Sequence, residues 1–425
     1  MGISSIKQNI IDSIQKNLDI NSIRKILKFI SNPFVFYLYG FSFKSASDKY
    51  LNKYSLSYMK EVYCGNFPIA YGSLFVPYEI LNSLNLRLVL PEVMGGFTAG
   101  LGVTNKTLSN AANNWYSADL CTFHRSASGA ANMDLFPKPE FIICSNLACD
   151  AACKSFEDMA KKFRIEDRFY LIDIPYENDR DSVDYLSGQL KNIFFDISDK
   201  LKIKPETENL KKAIINSNRL RKHLLEVNKI REKLFDYPQY YNGLSYILPL
   251  FGLAGTKQTV SLYKIMEKEL RIKLHKQDPS KKMKKILWMH LKPYYRNDIF
   301  SIFEDNNCRV VCEEITDVFW EEMNPEKPFE SLAMKMLSNP LRGSGRNRVD
   351  TILSMAEKYE IDAAVLFSHW GCRQSNGLAR ILKDKLADIK IPLLVLDGDC
   401  VDKNNCPSGQ LKTRIEGFTE IINSL

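Results

Sequence analysis

The sequence predicts an α/β protein: two Rossmann-like (flavodoxin-like) parallel-sheet domains joined by a helical segment, with a helical N-terminal extension. Three observations carry this. Short apolar runs alternate with helical stretches from about residue 61, the alternation that produces βαβ units and a mostly parallel sheet. The same alternation returns after residue 284. Between the two lies a stretch with Leu, Lys, Glu and Ile at helical spacing. A chain of 425 residues also exceeds the size at which one hydrophobic core keeps growing, so more than one domain is expected.

The elements follow in chain order. Residues 1–60 show helix-like spacing with many Lys, Asn and Ser and then aromatics, which reads as a helical extension. Residues 61–203 contain the strand candidates "LRLVLP", "EFIICSN" and "RFYLIDIPY", giving the first α/β domain. Residues 204–283 are the helical linker, ending in the basic run "KLHKQDPSKKMKK", which reads as a solvated helix end. Residues 284–425 carry "KKILWMHL", "CRVVCEEI", "DAAVLFSH" and "PLLVLDGD", the strands of a second α/β domain.

Composition bounds the function. At 45% hydrophobic and 25% charged the chain matches globular averages. Its apolar stretches near residues 34 and 245 fall short of the roughly 20 residues a membrane span needs, so no membrane partner is expected. The start "MGISSIKQNI" lacks the succession of a signal peptide, and Ile6 stands where a myristoylation motif needs Ser or Thr; a cytoplasmic location is expected. The net charge of +8 is spread without an aromatic-interleaved basic motif, so no nucleic-acid partner is expected. Ten cysteines in a chain of this kind read as thiols for metal, catalysis or packing rather than as disulfides.

In open α/β sheets ligands bind beyond the carboxyl ends of the strands. That singles out Pro91 and Glu92 after "LRLVL", Cys144 to Cys153 after "EFII", His369 to Arg373 after "DAAVLF", and Asp397 to Asp399 after "PLLVL". Cysteine falls at or beside three of these places. Soft thiolates from strand-end loops suit iron and sulfide, while free cysteine also packs as a small hydrophobe. Cys64, Cys308, Cys312, Cys400 and Cys406 read as packing. For Cys121, Cys149 and Cys372 the residues alone leave both readings open. Gly371 beside Cys372 lets another group come close to the backbone.

Taken together, "LPE" with a following "AG", "YSADLCTFHR", "PEFIICSNLAC", "YNGLSY", "NPLRGSGRNRVD", "SHWGC" and "LDGD" followed by "QLKTRIEGFTEII" resemble the 2-hydroxyacyl-CoA dehydratase family. That family includes the catalytic subunits of ATP-dependent benzoyl-CoA reductase, and the similarity runs over most of residues 61–425. It implies that Cys121, Cys149 and Cys372 hold a [4Fe-4S] cluster, with Cys144 in reserve and Cys153 as packing. It implies an acyl-CoA substrate, a second related iron-sulfur subunit and a separate ATP-dependent iron-sulfur activator. The implied reaction is loss of water from a 2-hydroxyacyl-CoA through a ketyl radical after one-electron reduction, with His369 and Arg373 tuning the cluster's charge. Aromatic acyl-CoA reduction is the alternative, and a non-catalytic assembly or relay subunit is the alternative of another class. "SHWGCRQ" departs from the better-known dehydratase subunits around its cysteine, and residues 1–60 have no counterpart in the family pattern.

Further residues complete the expectations. Glu92 in a dry pocket is a candidate general base or hydroxyl-orienting group, because burial raises a carboxyl's pKa. With the cluster that the resemblance implies, Ser73 is a candidate hydrogen-bond partner for an iron-bound oxygen. His124 and Arg125 lie beside the cluster, beside the CoA phosphates or in surface ion pairs. Arg342, Arg346 and Arg348 around two glycines compose a candidate phosphate loop. Asp397 and Asp399 read as a turn and helix-cap device.

Overall fold

A computed structural model describes residues 18–31, 45–234, 246–278 and 282–424. The apolar stretch near residue 34, Ile6 and the first five residues of "YNGLSY" lie outside them. The described chain forms two four-stranded parallel sheets. The first contains β1 (Ile69–Gly72), β2 (Arg87–Val89), β3 (Phe141–Ser145) and β4 (Phe169–Ile172). The second contains β5 (Lys284–Met289), β6 (Cys308–Glu313), β7 (Ala363–His369) and β8 (Leu393–Gly398). Both are ordered alike, β2-β1-β3-β4 and β6-β5-β7-β8, so the sheets are two α/β units of the expected kind.

The strands are apolar runs because helices cover both of their faces. In β3, Phe141 and Ile143 join one core layer while Ile142 and Cys144 join the other, the two-residue period of a strand. In β5 and β7, Trp288, Val365 and Phe367 face one layer, and Leu287, Met289 and Leu366 the opposite one.

Before the first sheet, Ile20–Ile30 and Ala46–Cys64 are helical. Their starts are chemically marked: Asp19 accepts from the N–H groups of Asn21 and Ser22, and Ser45 from that of Asp48, which satisfies donors a helix start leaves open. The linker region forms the long helices Thr207–Lys233 and Lys257–Lys276. Buried Arg231 binds Glu313 at the end of β6 through two hydrogen bonds of 2.7 and 2.5 Å, fastening the linker to the second sheet.

One helix crosses the expected partition. Pro328–Leu337 follows β6 in the chain, yet Leu332, Ala333, Met336 and Leu337 pack into the core of the first sheet. Lys335 reaches Glu79 at 2.6 Å, and Ser217 meets the same carboxylate. Among the described residues no helix is long and apolar enough to cross a membrane.

Candidate active site

Both sheets turn the carboxyl ends of their strands toward one cavity of about 560 Å³. The shared strand order places a topological switch between β1 and β3 and another between β5 and β7, where a doubly wound sheet opens a crevice. Leu74 and Phe75 after β1 and Cys149 after β3 line the cavity from one side. His290 to Asn297 after β5, with His369 and Cys372 at and after β7, line it from the other. Glu92 after β2 and Glu314 after β6 complete the polar wall, and Phe97, Phe123, Tyr294, Tyr295 and Phe300 make the rest largely aromatic. The volume lies within the range of small-molecule sites.

Cys121, Cys149 and Cys372 all reach this cavity, each as the residue that opens a helix: Thr122–Asn132, Asp150–Phe163 and the single turn Arg373–Asn376. Main-chain N–H groups meet the three sulfurs from Phe123 and His124, from Ala152, and from Ser375 and Gln374 respectively. Unmetallated, the thiols stay protonated, because burial raises Cys121 well above the usual thiol range, Cys149 up to about 12, and Cys372 upward as well. Next after burial, the charges of Cys372 and then Cys149, across the same cavity, raise Cys121 further.

Gly371 explains how two of the loops come together. Its φ is +76°, and an added Cβ would lie 2.7 Å from the N and 2.8 Å from the Cα of Cys121. The group that approaches this glycine is therefore the backbone of the Cys121 loop. Buried Asp399 holds the same loop: its carboxylate accepts from Val401 and Asp402 N–H groups and, at 2.5 Å, from the Thr122 hydroxyl. Asp399 is thus a turn device that also positions Cys121, whereas Asp397 faces outward to Arg414.

Glu92 is the second residue of the helix Pro91–Gly100. Its Oε2 accepts from the Leu74 N–H at 2.7 Å, and its Oε1 lies 3.9 Å from His124 Nε2. Burial raises the carboxyl to about 8, against the lowering pull of that N–H, so it is largely protonated at neutral pH. Gly95 permits this closeness, since a Cβ there would sit 2.7 Å from the Phe123 carbonyl oxygen.

The other sequence candidates separate. Ser73 is buried, and its hydroxyl bonds the Ser145 N–H at 3.2 Å and the Cys144 thiol; it does not line the cavity, whose wall begins one residue later at Leu74. Cys144 lies inside β3 because the strand continues to Ser145, and its side chain is in the core beside Cys153. Arg373 is exposed and pairs with Asp150 at 2.5 Å. Arg342 is turned inward onto the Leu337 and Tyr176 carbonyls, and Arg346 is exposed.

Other residues named in the sequence take specific partners. Arg348 grips Glu314 at 2.5 and 2.9 Å and donates to the Gln374 and Ser375 carbonyls, in the turn that follows Cys372. Glu314 in turn accepts from the His290 N–H. His124 is buried, with Nε2 3.3 Å from Cys149 Sγ, and His369 sits equally deep with Nε2 3.3 Å from Cys121 Sγ. Burial pushes both imidazoles down to about 4, so they are neutral at pH 7. His124 shares a buried helix face with Ala127, Ser128 and Ala131.

Comparison with known proteins agrees with this architecture. Residues 73–422 match the family described as 2-hydroxyglutaryl-CoA dehydratase, D-component. The chain is 24% identical to the (R)-phenyllactyl-CoA dehydratase alpha subunit of Clostridium sporogenes over 81% of its own length and 87% of that protein. It is 21% identical to the (R)-2-hydroxyisocaproyl-CoA dehydratase alpha subunit of Clostridioides difficile, over 84% and 90%. It is also 21% identical to subunit alpha of the (R)-2-hydroxyglutaryl-CoA dehydratase of Acidaminococcus fermentans, over 67% and 61%. With a match that covers most of the chain, from the end of β1 through the second sheet, the chain belongs to the 2-hydroxyglutaryl-CoA dehydratase D-component family.

Proposed function

We propose that this chain is a subunit of a 2-hydroxyacyl-CoA dehydratase and that Cys121, Cys149 and Cys372 hold a [4Fe-4S] cluster at the floor of the cavity. The observation that carries the reading is the convergence of three sequence-distant thiols, each at a helix start, on one largely aromatic cavity. The donor set fits the group: soft sulfur ligands suit iron and sulfide, and a set of three leaves one iron open. Among the described residues no three His, Cys, Asp or Glu side chains gather closely enough for a single metal ion.

A cluster held by Cys121, Cys149 and Cys372 would supply Lewis acidity and one electron to the thioester carbonyl, the chemistry of the proposed ketyl-radical route by which the 2-hydroxyl departs. The chain's own residues do the rest. Glu92, protonated near neutrality, gives its proton to the departing hydroxyl, which leaves as water. The carboxylate so formed takes the β hydrogen as a proton and is restored, and the borrowed electron then leaves the product for the next turnover, so protons and electrons both close. The Leu74 N–H keeps Oε2 in place during this cycle. Ser73 contributes by tying the end of β1 to β3, which sets that N–H. The aromatic wall excludes water from the reacting carbons.

The relatives are alpha subunits, which supports a partner subunit; that this partner is a second related iron-sulfur subunit, and that an ATP-dependent iron-sulfur activator is the electron source, belong to the same proposal. Anaerobic purification with iron and sulfide analysis tests the centre: about four of each per chain is expected, and a colourless, iron-free protein after reconstitution would overturn it. Turnover of 2-hydroxyacyl-CoA rather than benzoyl-CoA by the assembled, activated complex tests the reaction. Unchanged turnover after Cys372→Ala or Glu92→Ala would point to a non-catalytic subunit instead.

A further inference from the structure

We infer that His369 and His124 are positioning residues for the centre: each aims a ring N–H at one cysteine sulfur, and together they raise its reduction potential. The inference rests on the ligand trio proposed above. His369 ends β7, and its Nδ1 accepts the main-chain N–H of Cys400 at 3.0 Å. A ring nitrogen that accepts carries no hydrogen, so the hydrogen of the neutral ring is on Nε2. That nitrogen lies 3.3 Å from Cys121 Sγ. Packing prevents the ring from turning away, because the edge of Phe123 meets it at 5.1 Å and His290 stacks on it at 6.0 Å.

His124 reaches Cys149 from the first sheet's side. Its Nε2 is 3.3 Å from the sulfur, while its Nδ1 is buried with no hydrogen-bond partner among the described residues. A hydrogen on Nδ1 would leave a buried donor unmet, so the ring carries it on Nε2, toward the sulfur. Two of the three sulfurs thus receive an imidazole N–H, and the third, on Cys372, lies in the field of the Arg348 guanidinium.

Donors to the sulfur ligands stabilise the more negative, reduced state of an iron-sulfur centre more than the oxidised one, which moves its potential upward. Such a shift makes electron acceptance from a donor easier in a cavity whose aromatic walls otherwise disfavour added negative charge.

The test uses the full chain, reconstituted anaerobically, as wild type and as His369→Phe, His369→Gln, His124→Leu and His124→Gln. Glutamine can offer an amide N–H near the Nε2 position; phenylalanine and leucine cannot. Iron and sulfide content, the midpoint potential from an EPR-monitored titration, and exchangeable-proton couplings before and after transfer to D2O are measured. His369→Phe and His124→Leu are expected to keep iron, to titrate at a more negative potential and each to lose one exchangeable coupling, with the glutamine variants recovering most of the shift. Iron retained with potential and couplings unchanged overturns the inference, and either histidine decides it if the other variant fails to load. Wild-type protein that binds no cluster defeats the proposed function itself, a separate outcome.

Discussion

At the scale of single residues, Glu92 makes the sharpest prediction. Glu92→Gln cannot accept the β hydrogen and should lower turnover of the assembled enzyme by about 100-fold or more, the usual reach of general acid-base catalysis. The same variant reports the raised carboxyl. The folded chain holds the Glu92 proton up to about pH 8, whereas an unfolded chain releases it near the ordinary carboxylate value. This group therefore contributes stability that is full in acid and lost as pH rises through the window up to about 8, on the order of a few kcal/mol. Thermal melts of the metal-free protein should show that loss in wild type and a flatter profile in Glu92→Gln; identical profiles would count against the buried acid. Gly371→Ala should cost about 2 kcal/mol or more from its left-handed backbone alone, with the clash against Cys121 added. Denaturant midpoint and iron content together check it, and a variant that keeps both refutes the close-approach role. The place of Glu92 and the three cysteines on the cavity was readable because they stand at strand ends inside motifs, while Ser73 stands one residue short of the wall.

At the scale of elements, the strands were legible from their apolar runs, since a strand covered on both faces has little other composition available. The extent of β3 was not, and that single residue moved Cys144 from a loop into the core. Arg348 was read with its neighbours as part of a phosphate loop because arginines among glycines look alike in sequence. What separates them is the partner: Arg342 meets main-chain carbonyls, whereas Arg348 meets the carboxylate of Glu314, 34 residues away. Arg348→Met should destabilise the chain by about 3–5 kcal/mol, because it leaves Glu314 buried without its cation. The double variant Arg348→Met with Glu314→Met should recover much of that loss in urea denaturation. A double variant as damaged as the single one would show that the pair's worth lies elsewhere.

At the scale of the whole molecule, the sequence announced two α/β units but not how they are joined. Helix Pro328–Leu337 leaves the second unit to complete the core of the first, and buried Glu79 holds Lys335 from it. Nothing local marks such an exchange, because an amphipathic helix does not reveal which sheet it will cover. The two units are therefore expected to unfold together: calorimetry of the metal-free chain should give one transition with agreeing calorimetric and van't Hoff enthalpies, and two resolved transitions would contradict the shared core. The placement of the cysteines extends this coupling. Cys121 and Cys149 belong to one sheet and Cys372 to the other, so an inorganic group held by all three is a covalent staple across a loop of more than 200 residues. Closing so long a loop confines the unfolded chain by roughly as much as a disulfide, about 4–5 kcal/mol. If the proposed cluster is the staple, its loss to oxygen would remove that tether as well, and the cluster-free chain is expected to be digested faster by proteases.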